Sequence, residues 1–178
     1  MKKTNVRRLL DANRRYIESG VFSGDISSAR RQGNAHGQKP YAVIITCSDS
    51  RVMPEAIYNA GIGELFVVRT AGNTIGDSEF ASVEYAVEHL HTDTVIVMGH
   101  TCCGAVNAAL HGEFEGAVGL ITRRIKEAIG DERELSRACE LNVRKSVATL
   151  REKLDKPDLT VIGSIYDIVS GEVKFLSE

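Results

Sequence analysis

YAVIITCSDSR, residues Tyr41–Arg51, is an apolar, β-rich run that ends on a cysteine and opens into a polar loop. A short run of Val, Ile and Thr bounded by turn formers reads as a buried strand over Tyr41–Thr46. The same pattern returns at Glu64–Thr70 (ELFVVRT), Thr94–Met98 (TVIVM) and Leu159–Ile165, with a shorter fifth run at Glu172–Leu176. Helical stretches separate these runs. Pro54–Asn59 carries proline in its first turn and Gly61 beyond its end. Ser78–His91 sets Phe80, Val83, Val87 and Leu90 on one stripe, and Cys103–Leu110, Gly116–Ile129 and Glu132–Leu154 complete the series. Strands alternating with helices predict an α/β fold. The expected architecture is a mostly parallel central sheet of four strands plus a fifth edge strand, helices on both faces and right-handed crossovers.

Ahead of this core, Thr4–Ser19 places Val6, Leu9, Leu10 and Ile17 on one side of a helix. Lys2, Lys3, Arg7, Arg8, Arg14 and Arg15 then form its polar face. Gly20–Gln38 is rich in Gly, Ser, Asn and Arg and reads as a long loop or arm. The chain therefore divides into a helix and arm, residues 1–37, and an α/β core, residues 38–178. An arm preceding a compact core invites packing of the first helix on a second subunit, so the arm is expected to be dimer-forming.

The 178 residues carry 22 basic and 24 acidic side chains and a formal net charge of −2, which gives no footprint for nucleic acid or an anionic membrane. No apolar run approaches the roughly 20 residues that span a bilayer. No apolar stretch follows the charged start, so a signal peptide is not expected. The expected compartment is the cytoplasm. In that reducing setting the four cysteines point to metal or catalysis before disulfides.

In parallel sheets ligands bind beyond the carboxyl ends of the strands. That directs attention to Cys47–Arg51, Ala71–Asn73 and Gly99–Gly104. Cys47 follows the first strand, and His100 and Cys103 follow the third. If those strands are neighbours, two thiolates and an imidazole converge, a donor set that suits Zn²⁺. His100 and Cys103 lie about one helical turn apart, and the helix start favours a thiolate at Cys103. Three protein ligands would leave a fourth position open for catalysis. A closed site completed by Cys102 or Asp49, or no metal at all, remains the alternative. Asp49 and Arg51 share the Cys47 loop as C-x-D-x-R. Asp49 can accept a hydrogen bond from an attacking water, while a bidentate Arg51 keeps it off the metal. The alternative is a surface ion pair worth about 0–1 kcal/mol.

CSDSRV (Cys47–Val52), GELFVVR (Gly63–Arg69), AGN (Ala71–Asn73), SVEYAV (Ser82–Val87) and GHTCCGA (Gly99–Ala105) together resemble the β-class carbonic anhydrases, with a looser match at Gly163–Val173. The resemblance implies reversible hydration of carbon dioxide to bicarbonate and a proton. It implies one Zn²⁺ per subunit on Cys47, His100 and Cys103, with Asp49 and Arg51 as a catalytic dyad. Gly104 then corresponds to the glycine whose N–H positions substrate. Gln38, Phe66 and Tyr85 match the substrate pocket of the plant-like subgroup, which lies at a dimer interface. The implied assembly is a homodimer built by N-terminal helices, or a homotetramer. Some relatives adopt a closed form linked to a tryptophan three residues before the first cysteine. Ile44 stands there in this chain, which implies the open form. Similar proteins hydrolyse carbonyl sulfide or carbon disulfide on the same ligands, and a non-catalytic zinc-binding interaction protein is a further alternative. Cys102 and Thr70 depart from the family pattern, and Cys139 reads as structural. His89 and His91 end a helix, where a partly charged imidazole is favoured.

Overall fold

The computed structural model describes residues 2–112 and 114–177; the side chains of Lys2 and Lys3 lie outside the description. Its strands are β1 (Ala42–Cys47), β2 (Leu65–Thr70), β3 (Thr94–His100), β4 (Thr160–Tyr166) and β5 (Val173–Phe175). They form one sheet in the order β2-β1-β3-β4-β5. The first three pairings are parallel and β4 with β5 is antiparallel, as expected from the sequence. The helices are α1 (Lys2–Ser19), α2 (Ser28–Gly33), α3 (Pro54–Ile57), α4 (Asp77–Glu88), α5 (Gly104–Leu110), α6 (Gly119–Ile129) and α7 (Leu135–Leu154).

β1 and β3 read as continuous apolar runs because both of their faces are covered. Val43, Ile45, Val95 and Val97 point to one side, against Val83 of α4 and Val143 and Leu150 of α7. Ala42, Ile44, Ile96 and Met98 point to the other, against Leu9 of α1 and Ile57 of α3. Burying each such Val, Ile or Leu contributes about 1.5–3 kcal/mol. A third apolar cluster caps the carboxyl end of the sheet, where Val106, Ile125 and Ala138 of α5, α6 and α7 surround Cys47 and Cys103.

α1 is anchored to its own chain. Leu9 is fully buried, and the Asn13 amide donates to the carbonyls of Ile57 (3.1 Å) and Gly171 (2.9 Å) while accepting from Val173 N–H (3.0 Å). Leu10 and Ile17, on the same helix, stay exposed.

The segment expected to be loop over Gly20–Gln38 contains α2, which has no buried residue. Hydrogen bonds hold it instead of an apolar stripe. Ser27 Oγ accepts from Arg30 N–H (3.1 Å), and Arg30 Nε donates to the Ile62 carbonyl (2.8 Å). α6 and α7 each begin three residues later than the apolar pattern suggests. Glu134 caps α7, its carboxylate accepting from the Ser136 and Arg137 N–H groups at 2.8 and 2.7 Å. α4 stops at Glu88, and His91, in left-handed geometry at φ 55°, turns the chain toward β3.

Candidate metal centre

β1 and β3 are neighbours with Thr46 beside Met98, so their carboxyl ends lie side by side. Cys47 is the last residue of β1 and His100 the last of β3. A tight turn follows, in which Cys102 adopts φ 56°, and Cys103 becomes the residue that caps α5. This turn returns Cys103 to the side on which His100 lies. The three ligand atoms fall within 4.8 Å of one another, all on buried residues. The Cys47 and Cys103 sulfurs are 4.0 Å apart. A tetrahedral ion with metal–sulfur bonds of about 2.3 Å needs an edge of about 3.8 Å, so the spacing fits.

His100 supplies a second sign of fit. Its Nδ1 lies 2.9 Å from the Thr101 carbonyl, which places the ring proton there. Nε2 is then an acceptor, fully buried and with no hydrogen-bond partner. A buried lone pair without a partner is costly unless something binds it, and orientation through Nδ1–H is the usual arrangement for a metal-ligating histidine.

Electrostatics favour the ionised form at Cys47. The hydrogen bond shared with Cys103 lowers its pKa against the opposing effect of burial, with help from the Gly72 N–H, 3.2 Å from the sulfur. Cys103 moves upward through the same shared hydrogen bond and its own burial.

Asp49 and Arg51 form the bidentate pair expected from C-x-D-x-R. Arg51 Nε donates to Oδ1 (2.9 Å) and Nη2 to Oδ2 (2.7 Å), and the Arg51 backbone N–H also reaches Oδ1 (3.0 Å). These bonds hold the Asp49 carboxyl well below the usual carboxylate range. Asp49 Oδ2 lies 3.8 Å from His100 Nε2, at the rim of the ligand cluster. Arg69 fixes this loop from beneath, with Nε to the Cys47 carbonyl (3.2 Å) and Nη2 to the Asp49 carbonyl (2.9 Å). Sequence reasoning assigned Arg69 no role; its place in GELFVVR was the available signal. Thr70, the departure beside it, donates through its hydroxyl to the Thr74 carbonyl (2.7 Å).

Gly104 is the first residue of α5, and nothing lies within 4 Å of the position a Cβ would take. Cys102 is exposed and outside the ligand cluster. Phe66 and Tyr85 meet each other, ring centroids 6.3 Å apart. Phe66 pairs with Val43, about 13 Å from Cys47 along the strand at 3.3 Å per residue. Gln38 is exposed and precedes β1, at the opposite end of the sheet. One chain therefore does not gather these three residues around its own Cys47, His100 and Cys103.

The geometry agrees with the comparisons. Among solved structures, a β-carbonic anhydrase of Aspergillus fumigatus matches with a TM-score of 0.73 and 32% identity, over 82% of this chain and 79% of that one. The family model described as carbonic anhydrase matches residues 42–173. The chain belongs to the β-class carbonic anhydrases. Carbonic anhydrase 2 of Mycobacterium tuberculosis is 36% identical over 93% of this chain and 88% of its own length. One of two tetrameric β-carbonic anhydrases from Sordaria macrospora matches with a TM-score of 0.70 at 30% identity, covering 84% of this chain and 90% of that one. As a carbonic anhydrase, the protein catalyses the reversible hydration of carbon dioxide to bicarbonate and a proton.

Proposed function

We propose that this carbonic anhydrase holds one Zn²⁺ per subunit on Cys47, His100 and Cys103, and that Asp49, Arg51 and Gly104 act on water and substrate beside it. The observation that carries the reading is the partnerless His100 Nε2 beside two sulfurs at tetrahedral spacing. Both Asp49 oxygens are engaged by Arg51 and Cys102 is exposed, which favours a fourth position left to solvent over a closed site. A zinc ion held there would make hydroxide available at neutral pH, since zinc can lower the pKa of water from about 15.7 to near 7.

The residues of the chain do the rest. Asp49 Oδ2 accepts a hydrogen bond from the attacking hydroxide, which keeps its proton, and so aims the oxygen lone pair at the carbon of CO₂. Arg51 keeps that carboxylate ionised and stops it from rotating onto the metal. The Gly104 N–H donates to a substrate oxygen, and the open space at its Cα lets the molecule approach. Gln38, Phe66 and Tyr85 complete the pocket from a second copy of the chain, in the manner of the plant-like subgroup. Their distance from the metal ligands within one chain supports that reading. The dimer forms through α1 and the arm, where Leu10, Ile17, Val21 and Ile26 are exposed. Dimers pair further into a tetramer, as in the Sordaria relatives. Among the described residues, no helix is long and apolar enough to cross a membrane. Four free thiols suit a reducing compartment, which we take to be the cytoplasm.

Stopped-flow CO₂ hydration with zinc quantification tests the assignment. Asp49→Ala should keep its zinc and lose most turnover, and Cys103→Ser should lose the metal. If both variants hydrate CO₂ like the parent enzyme, the residue roles are wrong.

A further inference from the structure

We propose that Asn142 is a positioning residue for the metal centre: its side-chain amide pins the Gly72 carbonyl and thereby holds the Gly72 N–H on the Cys47 sulfur. The proposal rests on the reading of Cys47 as a metal ligand.

The AGN segment forms a single 3-10 turn, Ala71–Asn73, directly after β2. Gly72 within it adopts φ 67° and ψ 25°, a left-handed conformation. A Cβ at that position would stand 2.7 Å from Ile125 Cδ1 and 3.1 Å from the Ala105 Cβ. The turn is therefore pressed close beneath α5 and α6, which leaves its two peptide groups facing different partners. The N–H points to Cys47 Sγ at 3.2 Å. The carbonyl accepts from Asn142 Nδ2 at 2.7 Å.

Asn142 is 3% exposed on α7, the long helix that packs on β3 and β4 through Val143, Val147 and Leu150. Its backbone is thus fixed by the main core, and its amide transmits that fixity to a glycine with wide conformational freedom of its own. A hydrogen bond to a thiolate withdraws electron density from the sulfur and fixes the direction of its remaining lone pairs. Partners of this kind orient ligands, and their loss typically lowers metal affinity about 10–100-fold. Without Asn142, Gly72 can turn its N–H away, and Cys47 loses the donor that reaches it from the end of β2.

The rival view is that Asn142 merely satisfies a buried carbonyl. The two views differ in what happens at the metal. In ¹³C,¹⁵N-labelled protein loaded with ¹¹³Cd²⁺, the Gly72 amide proton should show scalar coupling to cadmium through the Cys47 sulfur. The Asn142 side-chain nitrogen should likewise couple to the Gly72 carbonyl carbon. Asn142→Ala should weaken or abolish the cadmium coupling. It should also raise the zinc dissociation constant at least about tenfold and shift the thiolate-to-cobalt charge-transfer band of the Co²⁺-loaded protein. Asn142→Asp keeps the side-chain volume while removing the amide donor, and should do the same if the alanine variant does not fold.

A metal-loaded parent protein without the Gly72–cadmium coupling overturns the proposal. So do folded variants that lose thermal stability yet keep the parent's zinc affinity and cobalt band. A parent protein that takes up neither cadmium nor cobalt on sulfur would instead overturn the assignment of Cys47 as a ligand, a separate result.

Discussion

Replacing Asn13 by alanine should loosen α1 from the body of the protein. Asn13 is 3% exposed, and its amide satisfies three backbone groups, the Ile57 and Gly171 carbonyls and the Val173 N–H. Each bond contributes about 1 kcal/mol net, and each buried group left without a partner costs about 1–3 kcal/mol. Water entering the space vacated by the amide recovers part of that loss, so the expected destabilisation is about 3–5 kcal/mol. For a chain of this size that is a fall in Tm of about 6–20 °C. Urea unfolding of the metal-loaded protein at fixed protein concentration measures it, since oligomer and metal both shift apparent stability. Hydrogen exchange at the Val173 amide reports the local event. Asn13→Asp keeps an acceptor for Val173 but turns oxygen lone pairs toward two carbonyls, and should be at least as damaging at neutral pH. A loss below about 1 kcal/mol for Asn13→Ala, with Val173 protection unchanged, would refute the reasoning.

Three further outcomes follow from the site and its surroundings. Stripping the metal with a chelator should lower the Tm of the parent protein, by the equivalent of about 4 kcal/mol when free zinc had stood at 1,000 times its dissociation constant; the Tm of Cys103→Ser should not respond to chelator. Gly72→Ala should destabilise the fold, because alanine is strained at φ 67° and its Cβ meets Ile125 Cδ1 at 2.7 Å. Adding Ile125→Val should restore part of that loss in a double-mutant cycle, and strict additivity would show that the steric account is wrong. In the native, metal-loaded protein iodoacetamide should alkylate exposed Cys102 and spare Cys139. Burial pushes the Cys139 thiol up to about 11, so it stays protonated at neutral pH. Mass spectrometry of the labelled peptides checks this.

The sheet was legible in the sequence because burial on both faces leaves an unmistakable mark. β1 and β3 have no exposed residue, so each reads as an unbroken apolar run. α2 carried no such mark, since its bonds are to Ser27 Oγ and the Ile62 carbonyl and it buries nothing. The proposed metal ligands were legible for a related reason. Strand ends can be located from the apolar pattern, and Cys47, His100 and Cys103 sit at two of them. Arg69, Asn13 and Asn142 escaped that kind of reading. Each acts on backbone atoms of distant segments, Asn142 on a carbonyl 70 positions away, and backbone atoms leave no residue-specific signal.

The separation of the two sulfur-bearing residues has a consequence for biosynthesis. Cys47 and Cys103 are 56 positions apart, and they meet only because β1 and β3 lie side by side. No short nascent peptide contains the whole chelating set, unlike a zinc finger, where ligands a few residues apart seize the ion and fold around it. A ribosome-bound chain must first emerge through β3 and the start of α5, and then pair its strands, before it can compete for metal. If these residues take the ion as proposed, acquisition is a late event in maturation, and cells starved of it should accumulate folded, unmetallated enzyme in place of unfolded polypeptide.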